Sequence, residues 1–293
     1  MAKIIEICGT PGVGKSTIFK EIEARNNKKN TWCSVSNKNP FGEETREEFF
    51  KSILKEISQG RKPINSRVPK LESYVDYIKR VYRKYKLGRN FVDLYDLKMA
   101  GERFVAQYPS YVDACWKNIY YRQAKSSNGL DLRFEKAEFI YLIIKKLQVL
   151  KEKKSQKTMI IDEGLVNMID RGLYKSNNLV DEKLEIQELL ETMPWPDGLV
   201  FLETSLEEIA NRIMTRKDIR DMHKGLSVPE LIDFTEACRK RIAVAIEYLA
   251  EKGIPVLYLD SKNKISENAS KIIAFANSIA VTEPILHSDN VVA

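Results

Sequence analysis

The segment GTPGVGKST at residues 9–17 fits the pattern G-x-x-x-x-G-K-[ST]. The apolar run KIIEIC at residues 3–8 precedes it, and STIFKEIEARNNKK at residues 16–29 has apolar positions at helical spacing. Strand, tight glycine loop and helix, in this order, are the context in which the pattern binds phosphate. The sequence therefore predicts a phosphate-binding loop near the start of an α/β fold.

The residue types of this loop explain the predicted chemistry. Glycines let the backbone approach phosphate closely, and successive N–H groups with the helix N-terminus attract anionic oxygens. Lys15 would reach the β and γ phosphates, and the Ser16 hydroxyl would ligate Mg²⁺. We therefore predict a Walker A P-loop that binds ATP or GTP with magnesium. The predicted nucleotide-binding residues are Gly9, Thr10, Pro11, Gly12, Val13, Gly14, Lys15, Ser16 and Thr17.

A second candidate lies at residues 159–164, MIIDEG, where an apolar strand ends in two carboxylates. An acid beside a P-loop can hold the magnesium shell, so Asp162 joins Ser16 as a predicted metal ligand. Glu163 has three interpretations: it accepts a proton from an acceptor hydroxyl, orients a hydrolytic water, or caps the following helix. The sequence leaves these three open.

A third candidate is the basic segment SLEEIANRIMTRKDIR at residues 205–220. Ser205 and Glu208 match a capping box at a helix start. Arg212, Arg216 and Arg220 are four residues apart, so a continuing helix would place them on one face without matching carboxylates. Three such cations repel unless an anion lies between them, and phosphoryl transfer needs such charges. The alternative is a solvated basic helix end.

The polar stretch KDIRDMHKGLSV at residues 217–228 follows these arginines. Its composition predicts a closing lid, and Pro229 would begin the next helix. His223 is predicted to be a surface residue of the lid, and His287 lies in the C-terminal stretch.

The remaining pattern indicates alternating strands and helices around a helical insert. Further strands are predicted at residues 31–36, 157–161, 199–203 and 255–259, and helices at 206–215, 229–252 and 265–278. This alternation favours a parallel sheet covered on both faces. We expect a P-loop core at residues 1–42 and 155–280, an inserted helical lobe for an acceptor or partner at 43–154, and a loose tail at 281–293.

Composition narrows the classes of protein. The chain has 293 residues and a net charge of +7. Its four cysteines are widely spaced, which favours a protein of the reducing cytoplasm. Residues 61–100 hold eleven Lys or Arg and four Asp or Glu, so this segment accounts for the whole surplus. It is either a surface for an anionic substrate, nucleic acid or membrane, or a solvated helical face.

The three motifs together resemble the nucleoside-monophosphate-kinase group of P-loop kinases, with thymidylate-kinase-like members most similar. The similarity covers about residues 1–40 and 155–280. It implies a five-stranded parallel sheet in the order 2-3-1-4-5, ATP and magnesium at the P-loop, lid arginines, and an acceptor under the insert. It also implies an adenine pocket near Arg212 and the loop at residues 260–262.

Carried over by position, Lys15 and Ser16 match the phosphate and magnesium positions, Asp162 the strand-end acid, and Arg212 and Arg216 the lid arginines. Arg220 is a looser match. Two departures stand out. Thymidylate kinases carry an arginine where this chain has Glu163, and the basic insert is longer than the group's acceptor region. Deoxynucleoside kinases place a base carboxylate after the second strand, where this chain has Glu43 and Glu44.

Two functions remain after these observations. The first is a kinase that moves the γ-phosphate of ATP to a small acceptor, either a nucleotide or a hydroxyl of a nucleoside or sugar. Its predicted catalytic residues are Lys15, Arg212, Arg216, Arg220 and Glu163. The second is a nucleotide-dependent switch or ATPase whose basic insert binds nucleic acid, a membrane or a protein, and its binding to nucleic acid would weaken with salt.

Overall fold

A computed structural model describes most of the chain. The described residues are 2–27, 29–35, 94–121, 133–152, 155–171, 179–217, 219 and 223–281. Several sequence predictions lie outside them: Glu43 and Glu44, most of the basic segment 61–100, Arg220, and the tail from residue 282 with His287.

Five parallel strands form the sheet at the centre of the fold. They are β1 (Ile4–Cys8), β2 (Trp32–Val35), β3 (Thr158–Ile161), β4 (Gly198–Glu203) and β5 (Val256–Asp260). Their order across the sheet is β2-β3-β1-β4-β5, which confirms the predicted order. The register pairs Glu6 of β1 with Ile161 of β3, and Cys8 of β1 with Phe201 of β4.

Strand β1 occupies the middle of the sheet because it is apolar on both faces apart from Glu6. All five of its residues are buried, as expected of a strand covered on both sides. The chain leaves β1 toward β2 on one side and returns to β4 on the other. The carboxyl ends of β1, β3 and β4 therefore meet at a topological switch point, where open α/β sheets bind ligands.

Among the described segments, three helices cover one face of the sheet: α1 (Lys15–Ala24), α6 (Leu206–Met214) and α8 (Ile265–Val281). They pack Phe19, Ile213 and Ile272 against alternate strand residues such as Ile7 and Ile160. The alternation follows from the two-residue period of a strand.

The other face is covered by α2 (Leu94–Gln107), α3 (Pro109–Tyr121), α4 (Arg133–Glu152), α5 (Leu179–Thr192) and α7 (Val228–Glu251). Phe104, Tyr111 and Leu150 of α2–α4 are fully buried and belong to one apolar cluster with Ile161 of the sheet. The prediction of helices in the insert is confirmed for these three segments.

Two sequence predictions near the lid were wrong. Helix α6 ends at Met214, so Arg212 and Arg216 do not share a continuing helix. His223 is buried, with only 2% of its surface exposed, and its ring packs edge-on against Phe234 of α7 at 5.4 Å between centroids. Contact with Phe234 buries His223, although its neighbours in the sequence are mostly polar.

The helix after this segment begins as expected. Helix α7 starts at Val228 with Pro229 in its first turn, and Ser227 and Glu230 form a capping box. The four cysteines are buried and form no disulfide. Within the described part of the chain, no helix is long and apolar enough to cross a membrane.

Candidate functional site

The loop of residues 9–14 joins the buried end of β1 to the first turn of α1. Its glycines Gly9, Gly12 and Gly14 have φ angles of 149°, 93° and 110°. The N–H of Val13 donates to Thr10 O at 3.3 Å, and those of Thr17 and Ile18 donate to Gly14 O. This compact turn is a concave backbone at a helix N-terminus, where anions bind.

Gly9 is required here by space as well as by backbone angle. A Cβ at this position would lie 2.6 Å from the carbonyl oxygen of Leu202 in β4. That oxygen belongs to a central strand and cannot move away easily. The first glycine of the loop is therefore packed directly on the sheet.

Lys15 begins α1 and points back over the loop. Its ammonium group donates to the carbonyl oxygens of Gly9 and Thr10, the latter at 3.1 Å. Ser16 and Thr17 follow in the first helical turn with exposed side chains. The Lys15 ammonium thus lies on the loop, and two hydroxyl side chains follow it in the first helical turn.

Asp162 and Glu163 follow β3 directly. Because β3 is hydrogen-bonded to β1 in parallel, these two carboxylates lie at the same edge of the sheet as the glycine loop. Both side chains are half-buried. The structure therefore brings the two predicted motifs to adjacent strand ends.

The surroundings of Asp162 fit a bound cation. Its Oδ1 atom is buried and accepts no hydrogen bond from any described residue. A buried carboxylate oxygen without a donor is costly unless a cation or another ligand completes it. Among the described residues, no group of three or more His, Cys, Asp or Glu side chains is arranged to hold a metal ion by itself. Mg²⁺ commonly binds through one or two protein oxygens together with substrate phosphates, so it would need no more protein ligands than Asp162 and Ser16.

A buried lysine faces these carboxylates from the helical insert. Lys146 of α4 has 3% of its surface exposed. Burial lowers the pKa of its amine, and the carboxylates of Asp162, Glu163 and Glu6 oppose that shift. Burial raises the pKa of Asp162, and the Lys146 ammonium opposes this. Lys146 thus balances part of the negative charge at the site, a role that sequence reasoning missed.

Arg212 lies beside the glycine loop. Its Nη1 donates to Val13 O and to Ser261 Oγ, each at 2.9 Å, and its Nε donates to Glu208 at 2.8 Å. One guanidinium therefore joins the loop to the turn after β5. The expectation that Arg212 has no carboxylate partner was wrong, because Glu208 is one helical turn earlier.

That ion pair also changes the predicted capping box. Ser205 is the N-cap of α6, but its side chain makes no cap hydrogen bond, and the Glu208 carboxylate binds Arg212 instead. Arg216 lies just past the helix end, half-buried, with its N–H bonded to Ile213 O at 3.3 Å.

No protein-family model matches this chain, and no curated protein matches it by sequence. Among solved structures, it is similar to deoxyadenosine kinase from M. mycoides with bound dATP, at 15% identity and a TM-score of 0.44. That alignment covers 94% of this chain and 100% of the other. A structure of the same enzyme with products dCMP and a flexible dCDP aligns at 15% identity and a TM-score of 0.43, over 94% and 99%.

Two further residues of the site were missed in the sequence. Glu6 is buried within β1 and accepts backbone hydrogen bonds from the turn after β3. Asn167 lies in the 3₁₀ helix Val166–Arg171 and contacts both β1 and the glycine loop. A carboxylate within an apolar strand was the one available signal for Glu6, whereas nothing in sequence marked Asn167.

Proposed function

We propose that this chain is a magnesium-dependent kinase that transfers the γ-phosphate of ATP, or of GTP, to a small acceptor. The observation that carries the proposal is the joint placement of the glycine loop with Lys15 and the buried, donor-free oxygen of Asp162. Lys15 and the anion-binding backbone of the loop follow β1, and Asp162 follows the neighbouring strand β3. This arrangement suits a nucleoside triphosphate with a bound metal ion.

The loop residues would bind and orient the triphosphate. Backbone N–H groups of residues 9–17 would surround the phosphates, and the Lys15 ammonium would turn from its carbonyl partners to the β and γ oxygens. When bound, Mg²⁺ neutralises charge on the transferring phosphate, and Asp162 and Ser16 would hold it.

The arginines would stabilise charge that develops during transfer. Arg216 and Arg220 follow α6 and would act on the transferring group from the lid. Arg212 is already bound to the glycine loop and Ser261, which suits the edge of the base pocket. These roles rest on the sequence resemblance together with the position of α6 beside the loop.

Glu163 would receive the proton of an acceptor hydroxyl as the oxygen attacks phosphorus and ADP leaves. Glu6 takes the N–H groups at the start of the 3₁₀ helix, which favours a proton-accepting or water-orienting role for Glu163 over a helix cap. A base is useful for a hydroxyl acceptor, whereas a phosphate acceptor needs none. We therefore place a nucleoside or sugar hydroxyl first among the acceptors, and a nucleotide second, with the insert 43–154 as the acceptor lobe.

The test is release of ADP from MgATP across a panel of nucleosides, nucleotides and sugars, measured above the rate without acceptor. Stimulation by one class, with the phosphorylated product identified by mass spectrometry, supports the kinase and names its acceptor. Hydrolysis that no acceptor stimulates would refute the kinase and favour the ATPase or switch.

A further inference from the structure

A buried network of side chains joins the two halves of the candidate site. Asn167 donates from Nδ2 to Ile7 O at 2.7 Å and accepts the N–H of Gly9 at 3.4 Å through Oδ1. The same Nδ2 lies 3.5 Å from Asp162 O. The Asn167 amide therefore contacts the end of strand β1, the first glycine of the loop and the backbone of Asp162.

Glu6 fixes the backbone that holds this asparagine. Its Oε1 accepts the N–H groups of Gly164 at 3.1 Å and Asn167 at 2.8 Å, and its Oε2 accepts that of Val166 at 3.2 Å. Glu6 has 2% of its surface exposed. A central strand thus binds the turn after Asp162 through three backbone hydrogen bonds, which are strongest when the Glu6 carboxyl is ionised.

Gly164 permits this close approach. A Cβ at this position would overlap the Glu6 carboxylate and lie 2.9 Å from Ile161 Cδ1. A side chain at position 164 would therefore displace the Glu6 carboxylate from the turn.

We propose that Glu6 and Asn167 are positioning residues that fix the distance and orientation between the glycine loop and the Asp162 carboxylate. This pair is named the Glu6–Asn167 brace. The inference rests on the proposed function, because the relative position of loop and carboxylate would affect binding only if phosphate and its metal bind across the two strand ends. The brace leaves Asp162 Oδ1 without a donor, and it bonds to the Asp162 carbonyl and to the backbone that follows.

The cost of burial supports a role beyond packing. A buried carboxylate is expensive, and an apolar side chain of similar volume is often as stable or more stable at such a position. The hydrogen-bond partners of the brace lie in β1, in the glycine loop, at Asp162 and in the segment 164–167 that follows it. Its hydrogen bonds are therefore directed at the site.

The test uses Asn167→Leu, which removes the donor and the acceptor at similar volume, and Glu6→Gln, which keeps one acceptor oxygen. Asn167→Ala is the second variant if Asn167→Leu does not fold, because it removes the same hydrogen bonds without adding bulk beside Gly9. Trp195→Phe is the control for a lost side-chain bond, since Trp195 Nε1 donates to Leu190 O at 2.7 Å, before the amino end of β4. Glu182→Gln is the control for a buried carboxylate, which pairs there with Arg241.

Two readouts separate positioning from simple stability. The first is the gain in affinity for a non-hydrolysable ATP analogue when Mg²⁺ is added, measured by calorimetry. We expect Asn167→Leu to reduce this gain about 10–100-fold, as for lost supports of metal ligands, and the controls to keep it. The second is amide hydrogen exchange without ligand, which should accelerate in residues 5–15 as well as in 159–171.

The proposal is overturned if the magnesium-dependent gain persists in Asn167→Leu, or if its exchange accelerates in residues 159–171 alone. It stands if both segments respond and the gain is lost while the two controls behave as the wild type. A wild-type protein that binds no analogue refutes the proposed function instead, and the exchange data then decide on the brace by themselves.

Discussion

Replacement of Gly9 by alanine tests whether the loop must lie directly on the sheet. The added Cβ meets two penalties: a φ angle of 149°, which side chains rarely adopt, and an approach of 2.6 Å to Leu202 O. The matched control is Gly253→Ala. Gly253 also has a positive φ, at 89°, but its added Cβ meets no atom within 4 Å, and it lies in the turn before β5.

The two penalties give different expected losses. Backbone strain alone costs about 1–2 kcal/mol and sets the expectation for Gly253→Ala. Overlap with a strand carbonyl adds about 1–3 kcal/mol at Gly9, as other overpacked positions do. We therefore expect Gly9→Ala to lose about 2–5 kcal/mol in free energy of unfolding, roughly twice the loss of its control.

Urea denaturation followed by far-ultraviolet circular dichroism measures these losses, and calorimetry measures binding of the ATP analogue. Gly9→Ala should bind the analogue with an affinity at least about tenfold lower, because a shift of its backbone moves the first anion-binding amides. Gly253→Ala should bind as the wild type does. Equal stability losses in the two variants, together with wild-type binding by Gly9→Ala, would refute the close packing of loop and sheet.

Three further perturbations follow from the site. Arg216→Ala should lower turnover more than ATP affinity, since we propose that its guanidinium acts on the transferring phosphoryl group in the transition state; a turnover equal to wild type would contradict this role. Asp162→Asn should raise the Mg²⁺ concentration for half-maximal analogue binding about tenfold or more, and an unchanged requirement would contradict its role as a ligand. Burial raises the pKa of Glu6 from 4.5 to about 7, against three backbone N–H donors. The folded protein therefore holds this proton more tightly, and its unfolding free energy should fall as pH rises from about 4.5 to 7. Glu6→Gln should reduce that fall in urea titrations at several pH values, and an identical pH dependence would show that Glu6 does not titrate there.

The fold was predictable because its signals are local. Each predicted strand differs from the observed one by at most one residue at either end, since short apolar runs between turn signals define parallel strands. The glycine loop and the acid after β3 were predicted together because both follow such strands directly. Their adjacency came from the resemblance, and the observed pairing of β1 with β3 confirms it.

The supports of the site were not predictable, because they depend on tertiary contacts. Asn167 resembles any polar residue after a strand, and only the fold shows that it reaches Ile7 and Gly9. Lys146 occupies a helix with many lysines, and its burial depends on which face of α4 packs on the sheet. Similarly, Glu208 could cap α6 or pair with Arg212, and its proximity to the guanidinium decided in favour of the pair.

The most direct test of the central claim is calorimetric titration of MgATP into the wild-type protein, Lys15→Ala and Lys20→Ala. Lys20 lies on the same helix with an exposed side chain and serves as the matched control. We expect the wild type and Lys20→Ala to bind equally, and Lys15→Ala to bind about 10–100-fold more weakly, the value of a lost charge-assisted hydrogen bond to phosphate. Equal binding by Lys15→Ala, or no binding by the wild type, would contradict the assignment of this loop as the triphosphate site.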